Sequence, residues 1–97
     1  MSHYITLLNY TPQGIAKIKE TLARQDAGRK ACEAFGGKIL ALYLTMGEYD
    51  GLVISEFPSD EAYTKFTLSL VSLGNVSTHT LKAFHEDEYK KLIASLP

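Results

Sequence analysis

Two apolar runs separated by a short polar turn dominate the middle of the chain. The first run covers Lys38–Met46, the second covers Gly51–Phe57, and the four residues Gly47–Asp50 join them. Each run has the length and the β-branched or aromatic content of a strand, and a short loop with a glycine at either end is typical of a β-hairpin. The pattern therefore predicts two antiparallel strands at the centre of the sequence.

A strand and a helical region precede this hairpin. Residues Tyr4–Tyr10 are β-forming throughout and stop at Pro12, because proline cannot donate to a strand ladder. Two apolar sets at helical spacing follow, namely Ile15, Ile18 and Leu22 and then Ala27, Ala31, Ala34 and Phe35. Since Gly28 weakens a helical turn, we predict a helix that is broken or bent between about residues 23 and 28 and that ends at Gly36.

A helix and a strand follow the hairpin. Ser59 is placed to cap a helix, and the acidic residues Asp60 and Glu61 favour its first turn. The residues expected to be buried by this helix are Ala62, Phe66, Leu70 and Leu73. Gly74 ends it, and Asn75–Phe84, rich in threonine and valine, predicts a fourth strand.

A last helix is predicted over residues 86–96. Its apolar face consists of Tyr89, Leu92, Ile93 and Leu96. On its outer face, the spacing predicts two acid-before-base pairs, Glu86 with Lys90 and Asp87 with Lys91.

The order of these elements is strand, helix, hairpin, helix, strand and extra helix, which is the split βαβ pattern. It predicts an α+β, ferredoxin-like fold: a four-stranded antiparallel sheet with strands one and three central and with helices on one face. We expect a single domain over residues 1–97, with a core at 3–85 and a C-terminal helix at 86–96. The face opposite the helices is too apolar to leave in water, so we expect a homodimer formed through that face.

Composition narrows the range of partners and compartments. The 97 residues carry a formal net charge of −1 without a basic stripe, so nucleic acid is not expected as a partner. Cys32 is the single cysteine, which leaves no intrachain disulfide and fits a reducing cytoplasm. The N-terminus lacks a signal-peptide pattern, and no run approaches the roughly 18 apolar residues of a membrane span. We expect a cytoplasmic protein with no membrane partner.

The turn between the central strands carries a resemblance to a known family. Gly47-Glu48-Tyr49-Asp50, preceded by Gly36-Gly37-Lys38 and followed by Gly74–Phe84, resembles the GYD-domain family over nearly the whole chain and in the same order. The resemblance implies a ferredoxin-like domain of the dimeric α+β barrel type. It implies no particular reaction, because one fold hosts many functions.

His79 is the first candidate for chemistry. It lies in the middle of the fourth predicted strand, where a purely structural strand more often carries an apolar residue. Members of the resembled family often carry an acidic residue near this place, so a shared acid role does not transfer. A histidine satisfied by neighbouring hydroxyls is one interpretation, and a proton-transfer or ligand-binding residue is the other. Strand alternation groups it with Ser77, Leu81 and Ala83, and we predict that this set faces a cavity.

Tyr49 and Asp50 are the next candidates. In the structural interpretation, Gly47 adopts a positive φ, Asp50 accepts backbone hydrogen bonds across the turn, and Tyr49 packs against the sheet edge or a partner subunit. In the functional interpretation they form an acid and phenol pair at a cavity mouth, with Tyr43 and Glu56 as further lining residues. Strict alternation places Glu56 with Asp50 on one face and Tyr43 with Thr45 on another.

The remaining reactive side chains favour structural roles. The three histidines His3, His79 and His85 have no helical spacing among themselves, so no metal site is predicted. His3 is expected at a frayed strand start and His85 at the junction with the last helix. Cys32 is expected to pack in or near the core, with a reactive thiolate as the alternative.

Three function hypotheses follow. The first is a small dimeric protein that binds an apolar or aromatic metabolite in an intersubunit cavity, without a cofactor. The alternative is a cofactor-independent enzyme, monooxygenase- or isomerase-like, in which His79 converges with Tyr43 or Asp50; haem binding ranks last. A polar, titratable cluster in the cavity would favour the enzyme, and an apolar slot would favour the binding protein.

Overall fold

Strands and helices account for most of the chain, and the computed structural model describes residues 1–97. The strands are β1 (Ser2–Tyr10), β2 (Lys38–Leu44), β3 (Gly51–Phe57) and β4 (Val76–Ala83). The helices are α1 (Pro12–Ala16), α2 (Thr21–Ala34), α3 (Asp60–Val71) and α4 (Glu86–Ala94), with a 3₁₀ turn at Ile18–Glu20 between α1 and α2.

The four strands form one antiparallel sheet in the order β2-β3-β1-β4. β2 and β3 form the predicted hairpin. β1 lies between β3 and β4, so Ile5 pairs with Ile54 on one side and with Leu81 on the other. This confirms the predicted α+β arrangement, with strands one and three central and helices packed on the sheet.

Strand alternation divides the sheet into two faces. Tyr4 and Thr6 face the helices and are buried. Tyr4 stacks on Tyr63 with ring centroids 4.1 Å apart, and Phe57 and Phe66 complete the aromatic core. The Tyr63 hydroxyl joins Thr6 and Thr80 through hydrogen bonds of 2.6 and 2.7 Å, so this buried polar group is satisfied.

The opposite face, which we call the open face, carries no helix. Its central residues are apolar side chains on three neighbouring strands, namely Ile5, Leu7, Leu52, Ile54 and Leu81. Leu81 remains 53% exposed, because nothing in the protomer covers it. No helix of the protein combines the length and apolar character that crossing a membrane requires.

The helix break lies earlier than predicted. α1 ends at Ala16, because the backbone of the following residue Lys17 (φ −112°, ψ 27°) leaves the helical region, whereas α2 runs through Gly28 without interruption. A glycine lowers helix propensity but removes no backbone hydrogen bond, so α2 tolerates it. The prediction that Ile15, Ile18 and Leu22 share one helix is also wrong, since they fall in α1, the 3₁₀ turn and α2 and are all exposed.

The start of α3 is as predicted. Ser59 accepts a hydrogen bond from the Ala62 amide at 3.1 Å, which satisfies one of the free donors of the first turn. The burial prediction fails at Leu73, which lies beyond the helix and is exposed, and Tyr63 is the buried residue instead. Gly74, with φ of 82°, follows the helix as expected.

A polar cluster joins the start of α3 to the sheet. The Asp60 carboxylate accepts a hydrogen bond from the Tyr4 hydroxyl and lies 2.8 Å from Lys82 Nζ on β4. The Lys82 contact, followed by that of Tyr4, lowers the pKa of Asp60 below its usual value. Burial, and then the hydrogen bond to Asp60, raises the pKa of Tyr4 to about 12. At neutral pH the cluster therefore holds a charged carboxylate and a neutral phenol.

The terminal helix α4 extends from the sheet with all its residues exposed. His85 caps its first turn, and Glu86 pairs with Lys90 at 3.6 Å. The second predicted pair does not form, because Asp87 lies 3.8 Å from His85 Nδ1 instead of contacting the lysine. The apolar residues Tyr89, Leu92 and Ile93 of α4 are all exposed.

Candidate functional site

A partly open cavity of about 650 Å³ lies between α2, α3 and the helix-facing side of the sheet. Its walls are mainly apolar and include Leu8, Ile39, Leu42, Val53, Phe66 and Leu70. The volume falls within the range of about 300–1,000 Å³ that is usual for small-molecule sites. The cavity belongs to a single protomer, and it lies on the side of the sheet opposite the open face.

Small side chains on α2 create much of this space. Ala27, Gly28 and Ala31 lie on the helix surface that borders the cavity. A Cβ atom added at Gly28 would meet no atom within 4 Å. A helix whose facing residues are this small leaves a gap above the strands unless it moves closer to them.

A β-bulge in β2 places two apolar side chains on the cavity side of the sheet. The pairing of β2 with β3 shifts between Ile39 and Ala41, which leaves Leu40 unpaired. After this bulge, Leu42 pairs with Val53 and lies on the helix side, like Ile39 before it. Strict alternation would have placed the two residues on opposite faces.

Arg24 is the only basic residue on the cavity wall. Its guanidinium donates to the Lys17 carbonyl at 3.0 Å, to Thr21 Oγ1 at 3.3 Å and to the Gly14 carbonyl at 3.5 Å. All three acceptors are neutral oxygens, and Arg24 takes part in none of the salt bridges of the molecule. A half-buried positive charge without an acidic partner therefore borders an apolar space.

Ser55 supplies a second polar group at the cavity wall. It lies in the middle of β3 on the helix-facing side, pairs with Tyr4, and is 1% exposed. Its Oγ is the single buried side-chain oxygen without a hydrogen-bond partner in the protein. An unpaired buried hydroxyl costs about 1–3 kcal/mol, so this group is an anomaly in an otherwise satisfied core.

His79 lies on the open face, not in this cavity. The register pairs it with Leu7, and its ring meets the edge of Tyr49 with centroids 5.6 Å apart. Two of the predicted site residues, from the turn and from β4, are therefore brought together.

Asp50 ties the turn to β1. Its Oδ2 accepts a hydrogen bond from the Tyr10 amide at 2.9 Å, and its own amide donates to the Leu8 carbonyl at 2.9 Å. Across its own turn, the Asp50 carbonyl accepts a hydrogen bond from the Thr45 amide at 2.9 Å, as the structural interpretation expects, and Gly47 has the expected positive φ of 110°. Asp50 also borders the cavity.

The other two predicted site residues lie apart from each other. Tyr43 pairs with Leu52 and is 59% exposed, which puts its side chain on the same face as Leu52 and corrects the strict-alternation prediction. Glu56 lies at the far end of β3, where its Oε2 lies 3.5 Å from His3 Nε2. His3 is held within β1 and is not frayed. Tyr43 and Asp50 both border the cavity, but His79 lies on the open face, so the constellation that the enzyme hypothesis needs is incomplete within one protomer.

Cys32 is fully buried in the core, where desolvation raises the pKa of its thiol to about 11. A thiol with this pKa is protonated at neutral pH and is a poor nucleophile. No group of three or more His, Cys, Asp or Glu side chains in the chain is arranged to hold a metal ion.

Sequence reasoning missed Arg24, Gly28 and Ser55. The local pattern presents Gly28 only as a weakness in a helix, and it gives no reason to single out the other two. The signal that could have identified Gly28 and Ser55 is a run of small residues facing an apolar strand that contains one serine. Neither feature has meaning until the two elements are known to face each other.

The fold and the cavity define an α+β, ferredoxin-like protein with a candidate small-molecule site. The model of the GYD domain matches residues 4–93, and the chain belongs to the GYD-domain family. Among curated proteins, no sequence matches this chain.

Solved structures share the fold. The crystal structure of MtbAldR (Rv2779c) is similar at a TM-score of 0.67 and 13% identity, over 88% of this chain and 52% of that one, so this chain spans about half its length. FFRP-DM1 is similar at a TM-score of 0.58 and 19% identity, over 87% of this chain and 100% of that one. TTHA0845 from Thermus thermophilus is similar at a TM-score of 0.55 and 22% identity, over 88% of this chain and 95% of that one. At these identities the likeness shows the fold alone.

Proposed function

We propose that this GYD-domain protein binds a small apolar molecule in the cavity between α2, α3 and the sheet. The observation that carries the proposal is the cavity itself, about 650 Å³ with mainly apolar walls inside a small domain. This site differs from the expected intersubunit cavity, because its walls come from a single protomer.

The apolar walls of the cavity argue for an apolar occupant. Because apolar walls offer water few hydrogen bonds, an apolar ligand fills this space more favourably than water does.

The test compares dye binding by three proteins. Nile red, a neutral apolar dye, is titrated into the wild type, Gly28→Leu and Ala34→Leu. Gly28→Leu projects a side chain into the cavity, whereas Ala34→Leu adds the same side chain at an exposed position of α2. We expect saturable binding to the wild type and to Ala34→Leu, and at least tenfold weaker binding to Gly28→Leu. Equal binding by all three would place the dye elsewhere and refute the proposal.

We also propose that the protein is a homodimer that packs open face against open face. The support is the contiguous apolar surface of Ile5, Leu7, Leu52, Ile54 and Leu81, which monomeric proteins seldom expose. In such a dimer, His79 and Tyr49 would lie at the interface and line any space between the subunits.

Sedimentation velocity of two matched variants tests the dimer. Leu81→Asp places a charge on the open face, and Leu68→Asp places the same charge on an exposed part of α3. We expect the wild type and Leu68→Asp to sediment as dimers at micromolar concentration and Leu81→Asp to sediment as a monomer. A monomeric wild type would refute the proposed assembly.

A further inference from the structure

We propose that the outer edge of β4 is an interaction surface for the same edge of a second copy of this chain, so that two sheets join into one continuous antiparallel sheet. This surface is separate from the cavity and from the open face. Three observations support it: the free backbone groups of β4, the lack of protecting features on this strand, and the way its side chains would face their own copies.

β4 is paired on one side only. It lies at the end of the strand order, with β1 as its one neighbour. The Thr11 amide donates to the Asn75 carbonyl at 3.1 Å, and these two residues continue the register of β1 with β4. Because hydrogen-bonded and non-hydrogen-bonded pairs alternate in an antiparallel ladder, this bond assigns the odd-numbered residues of β4 to the ladder with β1. The even-numbered residues direct their backbone amides and carbonyls away from the sheet, namely Val76, Thr78, Thr80 and Lys82.

The outer side of β4 is exposed. Four consecutive residues from His79 to Lys82 are exposed, and so is every residue of α4, the helix that follows this strand. The longest dimension of the molecule is 53 Å, which accommodates the roughly 30 Å of the nine-residue β1, the roughly 14 Å of α4 and their connection end to end. α4 therefore extends beyond the end of the sheet and leaves the edge of β4 accessible.

β4 also lacks the features that commonly protect an edge strand from pairing. All eight of its residues pair with β1 without a bulge, and the strand contains neither proline nor glycine. At the opposite edge of the sheet, β2 has the bulge at Leu40 and an exposed lysine, Lys38, at its start. The single lysine of β4, Lys82, lies 2.8 Å from the Asp60 carboxylate, which compensates its charge. Of the two edges, β4 is therefore the one suited to pairing.

The side chains of β4 fit a second copy of the same strand. Residues opposite each other in an antiparallel pair lie on one face, so a two-fold axis between two β4 strands passes through a residue position near the middle, His79 or Thr80. In either register Lys82 lies opposite an uncharged residue, Val76 or Thr78, and not opposite its own copy. Like charges therefore do not oppose each other, and the valine and threonine content favours strand pairing.

This interface is compatible with the proposed open-face dimer. The axis of β4 pairing is perpendicular to the sheet, whereas the axis that relates two sheets packed face to face lies in the plane of the sheet. Two such axes that meet generate a closed tetramer and not an open fibre. Because one strand pair is smaller than a stable interface of roughly 1,200 Å², we expect a Kd of about 10⁻⁴ M, so that the open-face dimer predominates at micromolar concentration.

Sedimentation velocity at about 10 µM and about 500 µM tests the pairing with two variants of one residue. Thr78→Pro removes an outward amide and leaves the ladder with β1 intact, whereas Thr78→Val keeps the amide and serves as the control. We expect the average mass of the wild type and of Thr78→Val to rise towards twice its value between the two concentrations. Thr78→Pro should associate at least tenfold more weakly, and thermal melts check that both variants are folded.

Amide exchange followed by NMR at the same two concentrations needs no variant. We expect the outward amides of Thr78 and Thr80 to exchange severalfold more slowly at the higher concentration. The amides of His79 and Leu81 should exchange slowly at both concentrations, because they donate to β1.

The outcomes separate this inference from the proposals on the cavity and the open face. A wild type of constant mass at both concentrations would overturn the inference and leave those proposals standing. An association that Thr78→Pro retains, or slower exchange of amides outside β4 alone, would place the contact elsewhere and overturn it as well. Slow exchange of the Thr78 and Thr80 amides even at the lower concentration, without a rise in mass, would show that the chain itself covers this edge and would also overturn it.

Discussion

Replacing Gly28 by alanine should stabilise the protein. The stability of this variant tests, without any ligand, whether the space beside Gly28 is open. Gly28 lies in the interior of α2, and the added methyl group would meet no atom within 4 Å. The substitution therefore gains the full helix-propensity difference of about 1 kcal/mol without a steric penalty. For a domain of this size, that gain corresponds to a rise in melting temperature of about 4–8 °C.

Two other glycines provide matched controls. Gly47→Ala also adds a methyl group in open space, but the φ of 110° there is strained for any residue with a side chain, so we expect a loss of about 1–3 kcal/mol. Gly14→Ala places its methyl group 2.1 Å from the Asn75 carbonyl oxygen, and we expect the largest destabilisation of the three. The same chemical change should thus have opposite signs at different positions.

Thermal melting followed by circular dichroism, together with urea titration at a constant m-value, measures all three variants. A neutral or destabilised Gly28→Ala, with Gly47→Ala destabilised as expected, would contradict the reasoning. It would mean that the space beside Gly28 is already filled in solution by a repacked helix. The cavity, and the function proposed from it, would then be lost as well.

Three further measurements follow from the structure. Cys32 should react with iodoacetamide at pH 8 far more slowly than it does in urea, because its pKa is raised to about 11 in the fold; comparable rates would show that the thiol is exposed. The hydrogen bond from Lys82 lowers the pKa of Asp60, so this group stabilises the fold above its unfolded pKa of about 4 and loses that contribution as pH falls through its folded value. Asp60→Asn should therefore reduce the loss of melting temperature at acidic pH. The same fall in melting temperature between neutral and acidic pH in the variant and the wild type would contradict this. Asp50→Ala leaves the Tyr10 amide without its acceptor and should destabilise the protein by about 1–3 kcal/mol. An unchanged melting temperature together with a loss of Nile red binding would instead make Asp50 a ligand contact.

The element order was predictable because its signals are local. Ser59 caps a helix through bonds to its own next residues, and Gly74 ends one through its own backbone. Alternation along β4 grouped His79 with Leu81, and the register with Leu7 shows that both lie on the open face. In the helical region, the prediction of a break near Gly28 was wrong. The i to i−4 backbone hydrogen bonds of α2 continue past this residue.

The candidate site depended on tertiary structure. The bulge at Leu40 reverses the sheet face on which the later side chains of β2 lie. The local pattern of that strand does not predict this shift in its pairing with β3. The same limit applies to Ser55, whose hydroxyl is unusual only because the packed core around it offers no partner. The sequence by itself determined the order of strands and helices and, in β4, which side chains share a face. Whether the small residues around Gly28 allow α2 to approach the sheet or leave a cavity depends on distances between distant segments, and only the tertiary structure decided that.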